Sequence, residues 1–323
     1  STNNASDYNV AIGELAMGAG TIAGALYNTG VGYQALTELT SGDSNTALGM
    51  NTGQDLTSGS GNTLIGQGAG TDITTGVNNV VVGYDAFLTA DGDEDYNVII
   101  GTGAGQSIDH DDADFNVLIG NGAGTGGAAA MSKCIAIGSA AMDATGGNAQ
   151  EGTIAIGHDA LTALTDGPRN IGIGYEAGVA INTGDDNTLL GFGAGHSITG
   201  YNFNTAIGSY ALYYSNNSYN TAVGYGAARG SSSAATYAKN TCIGYKSGFE
   251  LDTGDGNVLI GDLAGTNIGA MSNCVIVGRE AGDALTDTTA ADGTVAIGKS
   301  ALSALTSGVG NVAVGYQAMT TTT

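Results

Sequence analysis

The segments NTALGMNTGQDLTSGSG (residues 45–61) and NTLIGQGAGTDITTGVN (residues 62–78) follow one another and share one pattern. Each begins with Asn-Thr, continues with two apolar residues and then has a glycine, which we number position 0 of the repeat. Aligned on this glycine, the pattern recurs eighteen times at intervals of 16 to 20 residues, most often 17. Such a period is typical of stacked repeat architectures. The position-0 glycines are Gly13, Gly32, Gly49, Gly66, Gly83, Gly101, Gly120, Gly138, Gly157, Gly174, Gly191, Gly208, Gly224, Gly244, Gly261, Gly278, Gly298 and Gly315.

The other columns of the repeat have equally narrow compositions. Position −4 is Asn in fourteen copies, position −3 is always Thr, Val or Ile, and position −1 is always Ile, Val or Leu. Position +3 is Ala in sixteen copies, and position +4 is either Gly or, in most other copies, a bulky apolar residue. Branched residues before the glycine favour an extended strand, and the glycine then ends or bends it. Representative structural positions are Asn45, Gly49, Asn62, Gly66, Asn187, Gly191, Asn204 and Gly208.

This pattern predicts an all-β fold, a parallel β-solenoid (β-roll) of about eighteen coils. A seventeen-residue unit cannot bury its own core, whereas stacked units pair strand on strand. We expect each coil to contain a main strand, a second short strand and a polar turn. Asparagines that recur at the start of the strand are expected to form a hydrogen-bonded ladder.

Both faces of the main strand are apolar, which indicates that the chain associates with other chains. One face fills the interior of the solenoid, and an exposed second stripe would exceed the apolar patches that monomers usually show. We therefore expect the second face to pack on neighbouring chains. The small residues expected on this second face are Ala11, Gly30, Ala47, Gly172 and Ala206.

A longer period is superimposed on the coils. The segment around Cys274 resembles the segment around Cys134, eight coils earlier, which gives a super-repeat of about 140 residues. We interpret residues 1–323 as a single repeat array. Because no capping element is evident, the array is expected to belong to a longer fibre or to stack end to end on other subunits.

The composition excludes several classes of function. Thirty Asp and Glu face seven Lys and Arg, for a net charge of −23, which argues against nucleic-acid binding and against docking on anionic membranes. No apolar run is long enough for a membrane span, so no membrane insertion is expected. Three cysteines, Cys134, Cys242 and Cys274, are too scattered for a disulfide framework and are expected to be buried free thiols.

The segments NTAIG, NVAIG, TIAIG and NVAVGYQAM carry a family resemblance. They resemble the repeats of trimeric autotransporter adhesin heads, and they are equally similar to repeats in phage tail-fibre shafts. The resemblance implies an elongated homotrimeric fibre whose three chains, each a β-roll, are intertwined or lie side by side. Such repeats serve as spacer, adhesive head or host-recognition fibre. The coil here is longer than the compact adhesin repeat, so the similarity is one of type rather than of register.

The run Gly66-Gln-Gly68-Ala-Gly70 looks like a phosphate-binding loop but recurs at the solenoid spacing. A dinucleotide fingerprint also requires a helix start within a βαβ unit, so these glycines are interpreted as tight turns. The three histidines lie in different coils without a paired acid and nucleophile. We therefore expect no enzyme activity and no cofactor.

Two acidic turns, DGDED (91–95) and DHDDAD (109–114), lie one coil apart on the same edge. Their carboxylates are interpreted as a solvated acidic edge, with a calcium site as the alternative, because clustered oxygen ligands bind Ca²⁺. The candidate cation ligands are Asp91, Asp93, Asp95, Asp109, Asp111 and Asp112.

Tyrosines crowd the turn YALYYSNNSY (210–219). Their rings either cover the strand edge or stack on sugars, and Tyr213, Tyr214 and Tyr219 are the candidate glycan contacts. The sequence thus predicts an extracellular structural or adhesive fibre, on a virion or a cell surface, that recognises a glycan or receptor. The alternatives are a subunit of an end-to-end filament, an ice-binding face and a hydrolase without a recognisable catalytic group.

Overall fold

The computed structural model describes residues 7–18, 22–127, 131–146, 150–285, 291–306 and 308–320. The chain divides into two compact units, Ser1–Arg169 and Asn170–Thr323. Each unit is a stack of β-solenoid coils whose strands pair in parallel, which confirms the predicted fold class. In both units, nine main strands of three residues each occupy positions −3 to −1 of successive repeats.

In the first unit the described strands are β1 (Val10–Ile12), β2 (Thr29–Val31), β3 (Thr46–Leu48), β4 (Thr63–Ile65), β5 (Val80–Val82), β6 (Val98–Ile100), β7 (Val117–Ile119), β8 (Met131–Ser132), β9 (Ile135–Ile137), β10 (Gln150–Glu151) and β11 (Ile154–Ile156). In the second unit they are β12 (Ile171–Ile173), β13 (Thr188–Leu190), β14 (Thr205–Ile207), β15 (Thr221–Val223), β16 (Thr241–Ile243), β17 (Val258–Ile260), β18 (Val275–Val277), β19 (Val295–Ile297) and β20 (Val312–Val314).

Strand register follows the repeat without slippage. Thr46 of β3 lies beside Thr63 of β4, and Leu48 lies beside Ile65. The same column-on-column pairing holds within the second unit, where Thr188 lies beside Thr205. Identical or similar side chains therefore form rows along each stack, because every coil contributes the same repeat position to the same place.

The predicted asparagine ladder is confirmed. Asn62 donates from its backbone N–H and from Nδ2 to Oδ1 of Asn45, at 3.0 and 3.1 Å. Its Nδ2 also donates to the carbonyl oxygen of Gly76 at 2.8 Å. In the second unit Asn204 donates in the same way to Oδ1 of Asn187. These side chains are buried, so each coil satisfies polar groups of the next that water cannot reach.

The ladder is interrupted once in each unit. Cys134 still donates its backbone N–H to Oδ1 of Asn116 at 3.0 Å, but its thiol makes only weak contacts with the carbonyl oxygens of Ser132 and Gln150, at 3.4 and 3.6 Å. The next coil has Thr153 in this column, and its buried hydroxyl has no hydrogen-bond partner. In the second unit Cys274 makes the corresponding contacts with Asn257 and Ala291, but the Thr294 hydroxyl of the next coil donates to the carbonyl oxygen of Ala291 at 2.6 Å.

The position-0 glycine is required by the stacking of the coils. Gly66 has φ of +129°, and a Cβ there would overlap the carbonyl oxygen of Gly83 in the next coil. Gly191 has φ of +139° and meets Gly208 in the same way. L-residues rarely adopt this conformation, so backbone geometry and close approach both restrict this column to glycine.

The expected orientation of the small residues is wrong. Position −2 of the strand points into the solenoid, and Ala47 and Ala206 are fully buried. Gly30 also faces inward, since a Cβ there would lie 3.1 Å from Cε of Met17; Gly172 is buried as well, whereas Ala11 in β1 is exposed. Alternation along a strand tells which residues share a face but not which face is inside, and here both faces are apolar.

The core is filled by complementary sizes within each coil. In β4, Leu64 points inward opposite Gly70 at position +4, and a Cβ on Gly70 would lie 3.2 Å from Cδ2 of Leu64. In β11 the sizes are exchanged, with Ala155 followed by Leu161 at position +4, both fully buried. Thirteen of the eighteen coils combine one large and one small residue at these two positions, which keeps the interior close-packed.

The expected second short strand is largely replaced by turns. Among the described residues it exists only as β8 and β10, which pair in parallel. Elsewhere positions +1 to +5 form turns in which non-glycine residues have positive φ, for example Leu36 (53°) and Asp85 (49°). These turns still bond from coil to coil, as Phe87 N donates to Ala104 O at 2.9 Å. The stacking therefore tolerates left-handed residues that isolated turns disfavour.

Candidate functional site

The outward side chains of the main strands form what we call the outer strand face, defined by positions −3 and −1. In β3, Thr46 and Leu48 are exposed on either side of the buried Ala47. At all 36 of these positions the residue is Thr, Val, Ile or Leu, and none is charged. A parallel sheet with branched apolar side chains on its outside resembles a surface that is covered by another element.

The exposed large hydrophobic residues are concentrated on this face and its two borders, positions −5 and +1. In the first unit twelve of the thirteen such residues that the structure describes lie in these four columns, and in the second unit thirteen of fifteen do. Scattered exposed apolar residues are ordinary, but a continuous patch marks an interaction site. The residues outside the four columns are Leu15, Val309 and Met319.

Aromatic rings border the outer strand face and stack from coil to coil. At position −5, Tyr96 and Phe115 stack with ring centroids 5.1 Å apart. At position +1, Tyr225 and Tyr245 stack at 5.6 Å. Offset stacking contributes stability beyond burial alone, so the borders reinforce the coil-to-coil contacts while the ring faces and edges stay accessible.

A cavity of about 430 Å³ in the second unit, the aromatic cavity, is open to solvent and is lined by Tyr210, Tyr213, Tyr214, Tyr225, Arg229, Lys246 and Phe249. Tyr213 and Tyr214 meet edge to face at 4.7 Å, and Arg229 lies 5.0 Å from the ring centres of both Tyr214 and Phe249. Cation–π contacts hold the Arg229 guanidinium in place against the rings. The cavity therefore combines fixed aromatic rings with the positive charges of Arg229 and Lys246.

The tyrosines predicted as glycan contacts separate into two places. Tyr213 and Tyr214 line the aromatic cavity, and burial raises the pKa of the Tyr213 hydroxyl above its usual range. Tyr219 instead stacks on Phe203 at position −5, at 5.4 Å. Rings and basic groups around an open concavity suit a polar ligand with apolar ring faces and negative or hydroxyl groups.

An acidic cluster in the first unit consists of Asp91, Glu94 and Asp109, which each place one carboxylate oxygen within 4.8 Å of those of the other two. Burial is the main cause that raises the pKa of Glu94, to about 7. A hydrogen bond with Asp91 raises the pKa of Asp109. These shifts indicate carboxylates that are crowded and lack a compensating positive charge.

The other predicted cation ligands have different surroundings. Asp95 caps the preceding coil, since its Oδ1 accepts from Val77 N at 2.6 Å. Asp112 lies 3.9 Å from the ring of His110. Asp93 is exposed, and the carboxylate of Asp111 lies over Gly92. The structure therefore brings two of the six predicted residues, Asp91 and Asp109, to a common point.

Sequence reasoning missed four residues of these sites. Glu94 was overlooked because it is one of several acids in its turn, although it is the one that is fully buried. Arg229, Lys246 and Phe249 come from two coils that follow the tyrosine-rich turn. Their repeat positions, combined with the rarity of basic residues in this chain, are the signal that would have found them.

The three cysteines are free and buried, as predicted. Burial raises the pKa of Cys134 to about 11 and also raises the pKa values of Cys242 and Cys274. Thiols in this state are unreactive, because the thiolate is the nucleophile. His196 lies beside Glu176, with Nε2 and Oε2 3.6 Å apart, and stacks on Tyr213 at the margin of the aromatic cavity.

No protein-family model matches the chain, and no curated protein matches it. Within the described ranges, the fold contains no helix with the length and apolar character needed to cross a bilayer.

Proposed function

We propose that this chain forms part of an extracellular structural and adhesive fibre in which copies of the same chain pack through the outer strand face. The observation that carries the proposal is the concentration of exposed large hydrophobic residues on that face and its borders. Burying such a stripe is strongly favourable, at roughly 25 cal/mol per Å² of apolar area.

Three copies are the number that we propose, because the repeats resemble those of trimeric adhesin heads and tail-fibre shafts. In a homotrimer, three outer strand faces would turn toward a common axis, and Thr, Val, Ile and Leu would meet their counterparts. The acidic turns would then point outward, where the net charge of −23 opposes unwanted association.

The aromatic cavity supplies the recognition part of the proposal. Tyr213, Tyr214 and Phe249 offer ring surfaces, and Arg229 and Lys246 offer donors for hydroxyl or carboxylate groups. This combination fits an oligosaccharide that carries acidic sugars, so the fibre would act both as a spacer and as a surface that contacts a host glycan.

The oligomer is tested by measuring the molar mass of the wild-type chain and of the double variant Ile65→Lys/Ile207→Lys in solution by light scattering. We expect a trimer for the wild type and a monomer for the variant, because lysines in the outer strand face cannot be buried. Circular dichroism should stay unchanged, since both side chains point away from the core. Ser58→Lys, an exposed turn residue, is the matched control and should remain trimeric.

A wild-type chain that is monomeric at micromolar concentration would contradict the proposal. Indefinitely long filaments in electron micrographs would indicate end-to-end assembly instead of a trimer.

A further inference from the structure

The acidic cluster joins two successive coils of the first unit. Asp91 and Glu94 lie in the turn that precedes β6, and Asp109 lies in the turn that follows it. Their carboxylate oxygens converge within 4.8 Å. Because neighbouring coils stack in register, this convergence is a property of the fold rather than of one mobile side chain.

Glu94 is the decisive member of the cluster. Its backbone carbonyl accepts from Nδ2 of Asn79 at 2.7 Å, so the asparagine ladder fixes its position. Its Oε2 accepts from Gly92 N at 3.2 Å. Its Oε1 has no hydrogen-bond partner, and the whole residue is inaccessible to solvent. A buried carboxylate oxygen without a partner is costly, and such an exception calls for a ligand.

The part of the chain that forms the acidic cluster contains no Lys or Arg. The sequence has no Lys or Arg before Lys133, and Lys133 is paired with Glu151, with Nζ and Oε1 2.6 Å apart. Beside Asp109, His110 accepts at Nδ1 from the backbone N–H of Asp112 at 3.1 Å. The carboxylates of the cluster thus repel one another without a Lys or Arg side chain to balance them.

We propose that Asp91, Glu94 and Asp109 bind one Ca²⁺ ion, which cross-links two successive coils. Three carboxylates form an all-oxygen donor set, which suits a hard cation and not the softer transition metals. The exposed Asp91 and Asp109 leave room for water to complete the six to eight ligands that Ca²⁺ takes. The ion would give the unpartnered Oε1 of Glu94 its missing interaction.

The test is calorimetric titration of the full chain with CaCl₂ after treatment with EDTA and removal of the chelator, alongside thermal unfolding with and without Ca²⁺ at about 1 mM. We expect one ion per chain and a higher unfolding temperature with Ca²⁺. Glu94→Gln and Asp109→Asn should each weaken binding by roughly tenfold or more, a loss seen even for groups that only support a ligand.

Asp93→Asn is the matched control, because Asp93 is an exposed acid of the same turn and should leave the affinity unchanged. Glu94→Gln removes a buried charge, so it should fold in EDTA with an unfolding temperature at or above that of the wild type. Asp109→Asn, at an exposed position, is the second variant if Glu94→Gln does not fold.

The proposal is overturned if the wild type neither binds nor responds thermally to Ca²⁺. It is also overturned if Ca²⁺ binds with the same affinity to Asp109→Asn as to the wild type, because exposed acids alone would then account for the signal.

Discussion

Oδ1 of Asn45 accepts two hydrogen bonds from Asn62, one from the backbone N–H and one from Nδ2. Oδ1 of Asn62 in turn accepts the same pair from Asn79, at 2.9 and 3.2 Å. Each asparagine therefore satisfies the coil before it and the coil after it, and removing one leaves buried donors on its neighbour.

Asn62→Ala should be strongly destabilising. The substitution removes the acceptor of Asn79 and the donor to Gly76 O, and each unsatisfied buried group costs about 1–3 kcal/mol. We expect a loss of roughly 2–5 kcal/mol, measured by urea unfolding. Asn121→Ala is the matched control, since Asn121 is exposed and makes one long bond to Thr102 O. Equal losses for the two variants would refute the structural role of the ladder.

Gly66→Ala should prevent the close stacking of two coils. A Cβ at this position would overlap the carbonyl of Gly83, and φ of +129° lies outside the range of L-residues. We expect destabilisation of about 3 kcal/mol or more, because strain and overlap add. Gly152→Asn is the control: its φ of +67° is also positive, but its Cβ would meet no atom within 4 Å. That variant should lose less than about 1 kcal/mol.

Residues 64 and 70 share one space in the core, so replacing the large residue by a small one and the small by a large one should be tolerated only when both are changed. Leu64→Ala opens a cavity and should cost about 2–5 kcal/mol, while Gly70→Leu overfills the same coil, where Ile73 Cδ1 would lie 2.8 Å from a new Cβ. The double variant reproduces the Ala155 and Leu161 arrangement of another coil. We expect a favourable coupling energy of about 0.5–3 kcal/mol in a double-mutant cycle. Additive losses would show that the two positions do not share one space.

The aromatic cavity predicts a localised effect on glycan binding. Tyr214→Ala and Arg229→Ala each remove one partner of the 5.0 Å cation–π contact, and should weaken binding to acidic oligosaccharides on an array by about tenfold. Tyr219→Ala removes a ring that stacks on Phe203 outside the cavity and should leave binding unchanged. Full binding by Tyr214→Ala and Arg229→Ala would exclude the cavity as a glycan site.

The buried thiols predict an alkaline loss of stability. Burial holds the pKa of Cys134 at about 11, against 9.0 for an unperturbed thiol, so the folded state retains a proton that the unfolded state releases. The stabilising effect is complete below about pH 9 and falls as the pH rises toward 11. Cys242→Ala removes another buried thiol whose pKa is raised and should flatten this decline in unfolding experiments.

Alkylation provides a second readout of the same thiols. Folded protein at pH 8 should resist iodoacetamide, whereas all three cysteines should react in urea. Rapid labelling of the folded chain would contradict their burial.

The sequence allowed the coil register, the asparagine ladder and the free thiols to be predicted, because each depends on residue type at a fixed period. It did not allow the inward direction of Ala47 and Ala206 to be predicted, since both faces of the strand are apolar. Nor did it reveal the left-handed turns, because Leu36 and Asp85 adopt positive φ only through bonds to neighbouring coils.

The candidate sites were predictable to the extent that their members lie close in sequence. Tyr213 and Tyr214 are adjacent and were found, whereas Arg229 and Lys246 reach the same cavity from following coils. Glu94 is buried whereas Asp91 and Asp93 of the same turn are exposed, and the repeat pattern does not indicate which acid of a turn is buried.

The break in the ladder at Cys134 and Thr153 has a mechanical consequence. The proposed fibre would carry tension between the bodies that it joins. A series of hydrogen-bonded coils under tension separates first at the most weakly bonded coil. Here the buried amide of Gln150 and the hydroxyl of Thr153 lack partners, so we expect single-molecule pulling to rupture the first unit at this coil. In the proposed fibre, the cysteine coil would then serve as a release point that lengthens the chain under load and spares the asparagine-bonded coils on its N-terminal side.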